Sequence, residues 1–112
     1  MQVRVVLIEP EYSPNVGAIC RAMKNFGFSE LFLVNPKCET KNIEAYKGAK
    51  HANNILESAR AVKTFQEATK NCDFVIGTTG IKSRHKGTIR SIIPLRDFVK
   101  KSAYFKTKKI AL

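Results

Sequence analysis

The chain has 112 residues, of which 44% are hydrophobic and 26% charged, the balance of one folded domain with a single core rather than of a disordered segment. Lysine and arginine total 20 against 9 aspartates and glutamates, a formal charge of +11 that points to an anionic partner such as RNA, DNA or a membrane surface. The apolar run Val5 to Ile8 is too short for a signal-peptide core or a membrane span, and Cys20, Cys38 and Cys72 are widely spaced with no C-x-x-C pair, so membrane insertion, a disulfide framework and a zinc site are not expected.

Val3 to Ile8 (VRVVLI) is β-branched and almost wholly apolar, which predicts a strand covered on both faces. The loop EPEYSPN follows. From Val16 the apolar positions Val16, Ile19, Cys20, Met23 and Phe26 recur at helical spacing, with Asn15 as the expected N-cap and Gly27 as the stop. Leu31 to Val34 is the next strand, closed by Asn35-Pro36. Residues 43 to 61 are rich in Ala, Lys and Glu and read as helix, interrupted near 51 to 54. A short helix is expected over 66–70, a buried strand over Asp73 to Gly77 (DFVIG), a helix over 94–101 with Leu95, Phe98 and Val99 inward, and a strand beginning at Lys109. The three cysteines read as buried, reduced thiols.

This alternation of strand and helix predicts a single α/β domain over residues 1–112, with a mainly parallel sheet, right-handed crossovers and helices on both faces. Ligands of such sheets sit beyond the carboxyl ends of the strands, so the loops 9–15, 36–42 and 78–92 are expected to carry the chemistry.

Three stretches are candidates. On the first helix Gly17, Arg21, Lys24 and Asn25 share a polar face, and a glycine in the first turn suits close approach of a ligand to a helix N-terminus that favours phosphate. By spacing alone, Arg21 reads more readily as a solvated arginine on an amphipathic helix. Thr78-Thr79-Gly80 leaves a strand at its carboxyl end, where two hydroxyls and a glycine could meet a cofactor's polar edge or simply form a turn. The segment KSRHKGTIR carries Lys82, Arg84, Lys86 and Arg90, fit to track phosphates or to be a solvated loop. His51 and His85 have no metal-ligand spacing with any thiol or carboxylate.

The run NVGAICR, followed by AMKNFGF and then LFLVNP, resembles the first motif of the SpoU-type methyltransferases, members of the SPOUT superfamily that methylate ribose 2'-hydroxyls of RNA. The likeness continues through Gly48-Ala49, His51-Ala52, TFQEA at 64–68, Cys72-Asp73 and VIGTTG at 75–80, and so covers almost the whole chain. The VIGTTG variant is most similar to the branch that modifies the tRNA anticodon loop at cytidine or uridine. The resemblance implies a SPOUT α/β-knot fold, S-adenosylmethionine as cofactor, RNA and in particular tRNA as partner, a cytoplasmic homodimer, Arg21 as the catalytic arginine with Asn15 supporting it, Thr78, Thr79 and Gly80 at the cofactor, and Gly17, Lys24, Lys82, Arg84, Lys86 and Arg90 at the RNA.

Arginine is effectively never deprotonated, so its implied role is to orient the ribose and stabilise charge, leaving the proton to a substrate phosphate or a water. The chain stops at KIAL, where the resembling family continues into the knot-forming segment. The expectation is therefore the N-terminal part of such an enzyme, inactive as an isolated piece. The competing expectation is a non-catalytic basic α/β module that binds RNA or a protein.

Overall fold

The structure, a computed structural model, describes residues 1–78 and 94–112. In chain order the elements are β1 (Gln2–Ile8), α1 (Ser13–Asn25), β2 (Glu30–Val34), α2 (Ile43–Ala49), a 3-10 turn (Lys50–Ala52), α3 (Asn53–Ser58), β3 (Arg60–Val62), α4 (Phe65–Thr69), β4 (Phe74–Val75), α5 (Leu95–Lys100), a second 3-10 turn (Ser102–Phe105) and β5 (Lys109–Ala111). The strands form one sheet in the order β3-β2-β1-β5-β4, with every neighbouring pair parallel. This is the α/β architecture expected from the alternation.

Alternate residues of the central strands build the two cores. Leu31 and Leu33 of β2 face Val16, Cys20 and Met23 of α1 and Ile55 and Leu56 of α3, with Val5 and Leu7 of β1 beside them. Phe32 and Val34 point to the opposite face, where Ala68 of α4, Val6 and Val62 cover them. Helices thus lie on both faces, which is why β1 and β2 read as nearly continuous apolar runs. Burial pushes the Cys20 thiol up to about 11, against a small opposing effect of a backbone hydrogen bond, and keeps it protonated. Cys38 and Cys72 are free but only half-buried, so the expectation of three buried thiols holds for Cys20 alone.

Several boundaries differ from expectation, each for a physical reason. Helix α1 starts at Ser13 with Pro14 in its first turn, where a fixed φ and a missing amide hydrogen are tolerated; Tyr12 is the N-cap, and Asn15 lies inside the helix. The span expected as one interrupted helix over 43–61 resolves into α2, capped by the Asn42 side chain accepting from the Ala45 amide at 3.0 Å, then the 3-10 turn and α3. Its last residues form β3, an edge strand of three residues beside β2. At the N-cap of α4 the Thr64 hydroxyl accepts from the Glu67 amide and donates to the Glu67 carboxylate. The strand expected to be buried over 73–77 is the short strand β4, and Val75 is 51% exposed because, among the described residues, only β5 flanks it. Val99 is 59% exposed rather than inward, while Phe98 packs on Phe105.

One charged residue lies inside this framework. Arg4 of β1 is buried, donating to the carbonyls of Ala68 and Lys70 at 2.9 Å each and to Glu30 at 2.8 Å, with its guanidinium 4.3 Å from the centre of the Phe32 ring. Lys109 of β5 approaches the other Glu30 oxygen at 3.3 Å. Burial alone would raise the Glu30 carboxyl, but Arg4 and then Lys109 outweigh it together and hold it below its ordinary value. A buried charge persists only when paired and hydrogen-bonded, and here the pairing fastens the end of α4 to the sheet.

Candidate active site

All five strands point their carboxyl ends to one rim of the sheet. The chain leaves β1 at Glu9, β2 at Asn35 and β4 at Ile76, so the loops singled out for chemistry share this edge. Strand order places β5 between β1 and β4, and therefore the segments 9–15 and 76–78 flank the carboxyl end of β5. Of the expected cofactor residues, Thr78 is exposed there, next to Gly77, around which no atom of the described residues would meet an added Cβ. Thr79 and Gly80, and the basic positions Lys82, Arg84, Lys86 and Arg90, lie outside the described residues.

Two rim residues escaped the sequence reading. Glu9 and Asn35 both have left-handed backbone, with φ of 48° and 43°, and the Asn35 amide donates to the Glu9 carboxylate at 3.3 Å. Asparagine tolerates this conformation, whereas glutamate seldom adopts it and is strained there. Their backbone amides continue the ladder, Glu9 donating to Val34 and Asn35 to Val62, each at 2.8 Å. The available signal was Asn35-Pro36 directly after a strand.

Helix α1 descends from this rim. Its sheet face is Val16, Cys20 and Met23; Asn15, Arg21 and Asn25 are exposed. Asn15 sits in the first turn and Arg21 about 12 Å along the axis from Ser13 at 1.5 Å per residue. No hydrogen bond joins the two among the described residues, so any support from Asn15 to Arg21 does not pass through direct contact. Arg21 makes no ion pair among the described residues.

The other two polar-face candidates on α1 have internal partners. A Cβ on Gly17 would lie 2.1 Å from the carbonyl oxygen of Ala45 and 2.8 Å from the amide of Ala49, so this glycine is the floor on which α2 rests. The fit is reciprocal, since a Cβ on Gly48 would come 2.9 Å from the Pro14 oxygen and 3.4 Å from the Gly17 Cα. Gly17 is buried by helix packing, and the expected RNA contact at this position is corrected accordingly: α2 already occupies the space a ligand would need. Lys24 is exposed but donates to the His51 carbonyl at 2.6 Å, closing the far end of the same contact.

The SpoU rRNA Methylase family matches residues 2–107. A tRNA (cytidine-2'-O-)-methyltransferase TrmJ of Methanocaldococcus jannaschii is 42% identical over 101 residues, covering 90% of this chain and 44% of that protein. A tRNA (cytidine/uridine/adenosine-2'-O-)-methyltransferase TrmJ of Pseudomonas aeruginosa is 41% identical over 78 residues, 70% of this chain and 30% of that one. Among solved structures, a probable methylase family protein from Haemophilus influenzae superposes with a TM-score of 0.80 at 36% identity, over 97% of this chain and 45% of the other. The crystal structure of TrmJ from Z. mobilis gives 0.82 at 27%, over 99% and 48%. The chain spans less than half the length of these relatives. With a match over nearly its whole length and the same arrangement of strands and helices, the chain belongs to the SpoU rRNA Methylase family.

Proposed function

We propose that this chain forms part of an S-adenosylmethionine-dependent RNA ribose 2'-O-methyltransferase acting on tRNA, and that Arg21 is its substrate-orienting arginine. The observation that carries the reading is the position of Arg21. On a helix where Gly17 is filled by α2 and Lys24 is bonded to His51, Arg21 stands exposed and without an ion pair among the described residues. The activities named for the relatives support it.

The cofactor, when bound, supplies an electrophilic methyl group. Thr78, exposed at the carboxyl rim, and the uncovered face of Gly77 fit one polar edge of such a molecule, and Thr79 and Gly80 continue that stretch in sequence. The guanidinium of Arg21 holds the ribose 2'-oxygen or its neighbouring phosphate and stabilises the negative charge that grows as the hydroxyl proton leaves. Because arginine does not release its own proton, a substrate phosphate or a water accepts that of the hydroxyl. Asn15 offers a second polar group on the solvent side of α1. Lys82, Arg84, Lys86 and Arg90 follow the RNA backbone, while Lys24, bonded to the His51 carbonyl, holds α1 in place. We place the enzyme in the cytoplasm, in line with the tRNA activity named for its relatives, and as a homodimer, for which Tyr12 and Phe26, exposed at the two ends of α1, are available as subunit contacts.

The test is Arg21→Ala in the protein that joins this chain to the remaining length of its relatives. Methylation of tRNA is expected to fall at least about 100-fold, the scale of losing one charge-stabilising donor. The melting temperature should not move, because the side chain is exposed. Methylation within a few fold of wild type would reject the assignment. RNA binding with no methyl transfer by the wild-type protein would instead favour a non-catalytic module.

A further inference from the structure

A second charged surface lies away from the carboxyl rim, where α5 and the 3-10 turn after it lead into the amino end of β5. Residues 94–109 contain Arg96, Lys100, Lys101, Lys106, Lys108 and Lys109 against Asp97 as the one acidic residue. Arg96, Lys100, Lys101 and Lys106 are exposed, and only Lys100 approaches Asp97, at 3.8 Å. In their midst Tyr104 is 65% exposed.

The tyrosine is held rather than loose. Its ring meets Phe74 of β4 at 5.7 Å and 66°, and Phe105 at 5.3 Å and 82°, both edge-on contacts. Phe105 is packed in turn on Phe74 and Phe98. The Tyr104 amide donates to the Lys101 carbonyl at 3.0 Å. Residues three apart in a 3-10 turn lie one above the other, so Lys101 and Tyr104 share a face. A fixed, solvent-facing aromatic ring with exposed cations close to it along the chain is the combination that binds single-stranded nucleic acid, the ring stacking on a base and the cations following the phosphates. A ring already held by its neighbours loses little freedom on stacking, which favours binding further.

We propose that Tyr104, with Lys100, Lys101 and Lys106, forms a base-stacking platform for a single-stranded stretch of the RNA substrate, separate from the rim where methyl transfer would occur. The proposal rests on RNA being the substrate and adds where an unpaired segment of it is gripped. No base-specific contact is needed, so the preference is for unpaired over paired RNA.

The experiment uses the full chain and a fluorescein-labelled twelve-nucleotide oligouridylate, with the same sequence in duplex form as comparison. Tyr104→Leu keeps apolar contact with Phe74 and Phe105 while removing the π face, and is expected to weaken single-strand binding about ten-fold, on the scale of one lost stack. Tyr104→Phe should bind within two-fold of wild type. Replacing Lys100, Lys101 and Lys106 together by Gln should lower the slope of log affinity against log salt by about 2, at ~0.7 per phosphate contact. The chain has no tryptophan, so Tyr104→Trp gives a single reporter, whose emission should be quenched by oligouridylate and not by inorganic polyphosphate. Equal affinity of wild type and Tyr104→Leu, or equal quenching by polyphosphate, overturns the platform while leaving the RNA reading in place. Absence of RNA binding by the wild-type protein overturns both.

Discussion

At the scale of single residues, the glycine pair and the buried arginine decide more than their number suggests. Gly17 and Gly48 let α1 and α2 cross in backbone contact, and the predicted consequence is large: Gly17→Ala places a methyl 2.1 Å from the Ala45 oxygen, an atom of the backbone that cannot swing aside. We expect a loss of at least about 2 kcal/mol in urea unfolding, whereas Ala18→Ser on the exposed side of the same helix should change little. An unchanged unfolding midpoint for Gly17→Ala would show that the helices separate freely. The Glu30 carboxyl makes the second prediction. Its folded value is held below that of the unfolded chain, so its contribution to stability is fully present above the unfolded value, near ~4.3, and disappears as pH falls through the lower folded one. Glu30→Gln should therefore be less stable than wild type at pH 7 and converge with it as acid protonates the folded Glu30, as read from thermal melts; a gap that stays constant as pH falls would mean that shape, not charge, is what Glu30 supplies.

Elements show what could and could not be read from the sequence. Helix α1 and strands β1 and β2 were legible because their apolar residues repeat at 3.6 or run continuously, and a buried element leaves no other pattern. Strand β3 was not, since Arg60-Ala61-Val62 contains two residues with no strand preference and is extended only because β2 offers it a ladder. Arg4 inside an apolar strand was the visible sign of a buried ion pair, but its partner Glu30 is 26 residues away and is fixed by register, which local pattern does not carry. The candidate site divides in the same way: Arg21 was singled out by motif, while the Gly17 packing and the Glu9 and Asn35 pair depend on contacts between distant segments. The basic run at 82–90 was legible as charge alone and lies outside the described residues. Its predicted role is tested by replacing Lys82, Arg84, Lys86 and Arg90 with Ala, which should weaken tRNA binding and flatten its salt dependence. Unchanged affinity and slope would return it to the status of a solvated loop.

For the whole molecule, the proposed cofactor contacts within the described rim come to Thr78 and Gly77 alone, and a small-molecule site has to bury most of its ligand to bind it usefully. Residues 1–112 by themselves are thus expected to bind S-adenosylhomocysteine no more tightly than about millimolar in isothermal titration. Micromolar binding would show that these residues already enclose a complete site. The sheet order also bears on how the protein comes into being. Strand β5 pairs with β1 on one side, Val3 opposite Ile110, and with β4 on the other, Phe74 opposite Ile110, so β4 joins the sheet only through it. On the ribosome, β1, β2 and β3 can assemble as they emerge, but β4 has nothing to pair with until residue 111 has been synthesised and released from the exit tunnel. Closure of the sheet is therefore a late, long-range event, and a nascent chain paused between β4 and β5 would present the unpaired edges of β1 and β4 to chaperones and to other chains.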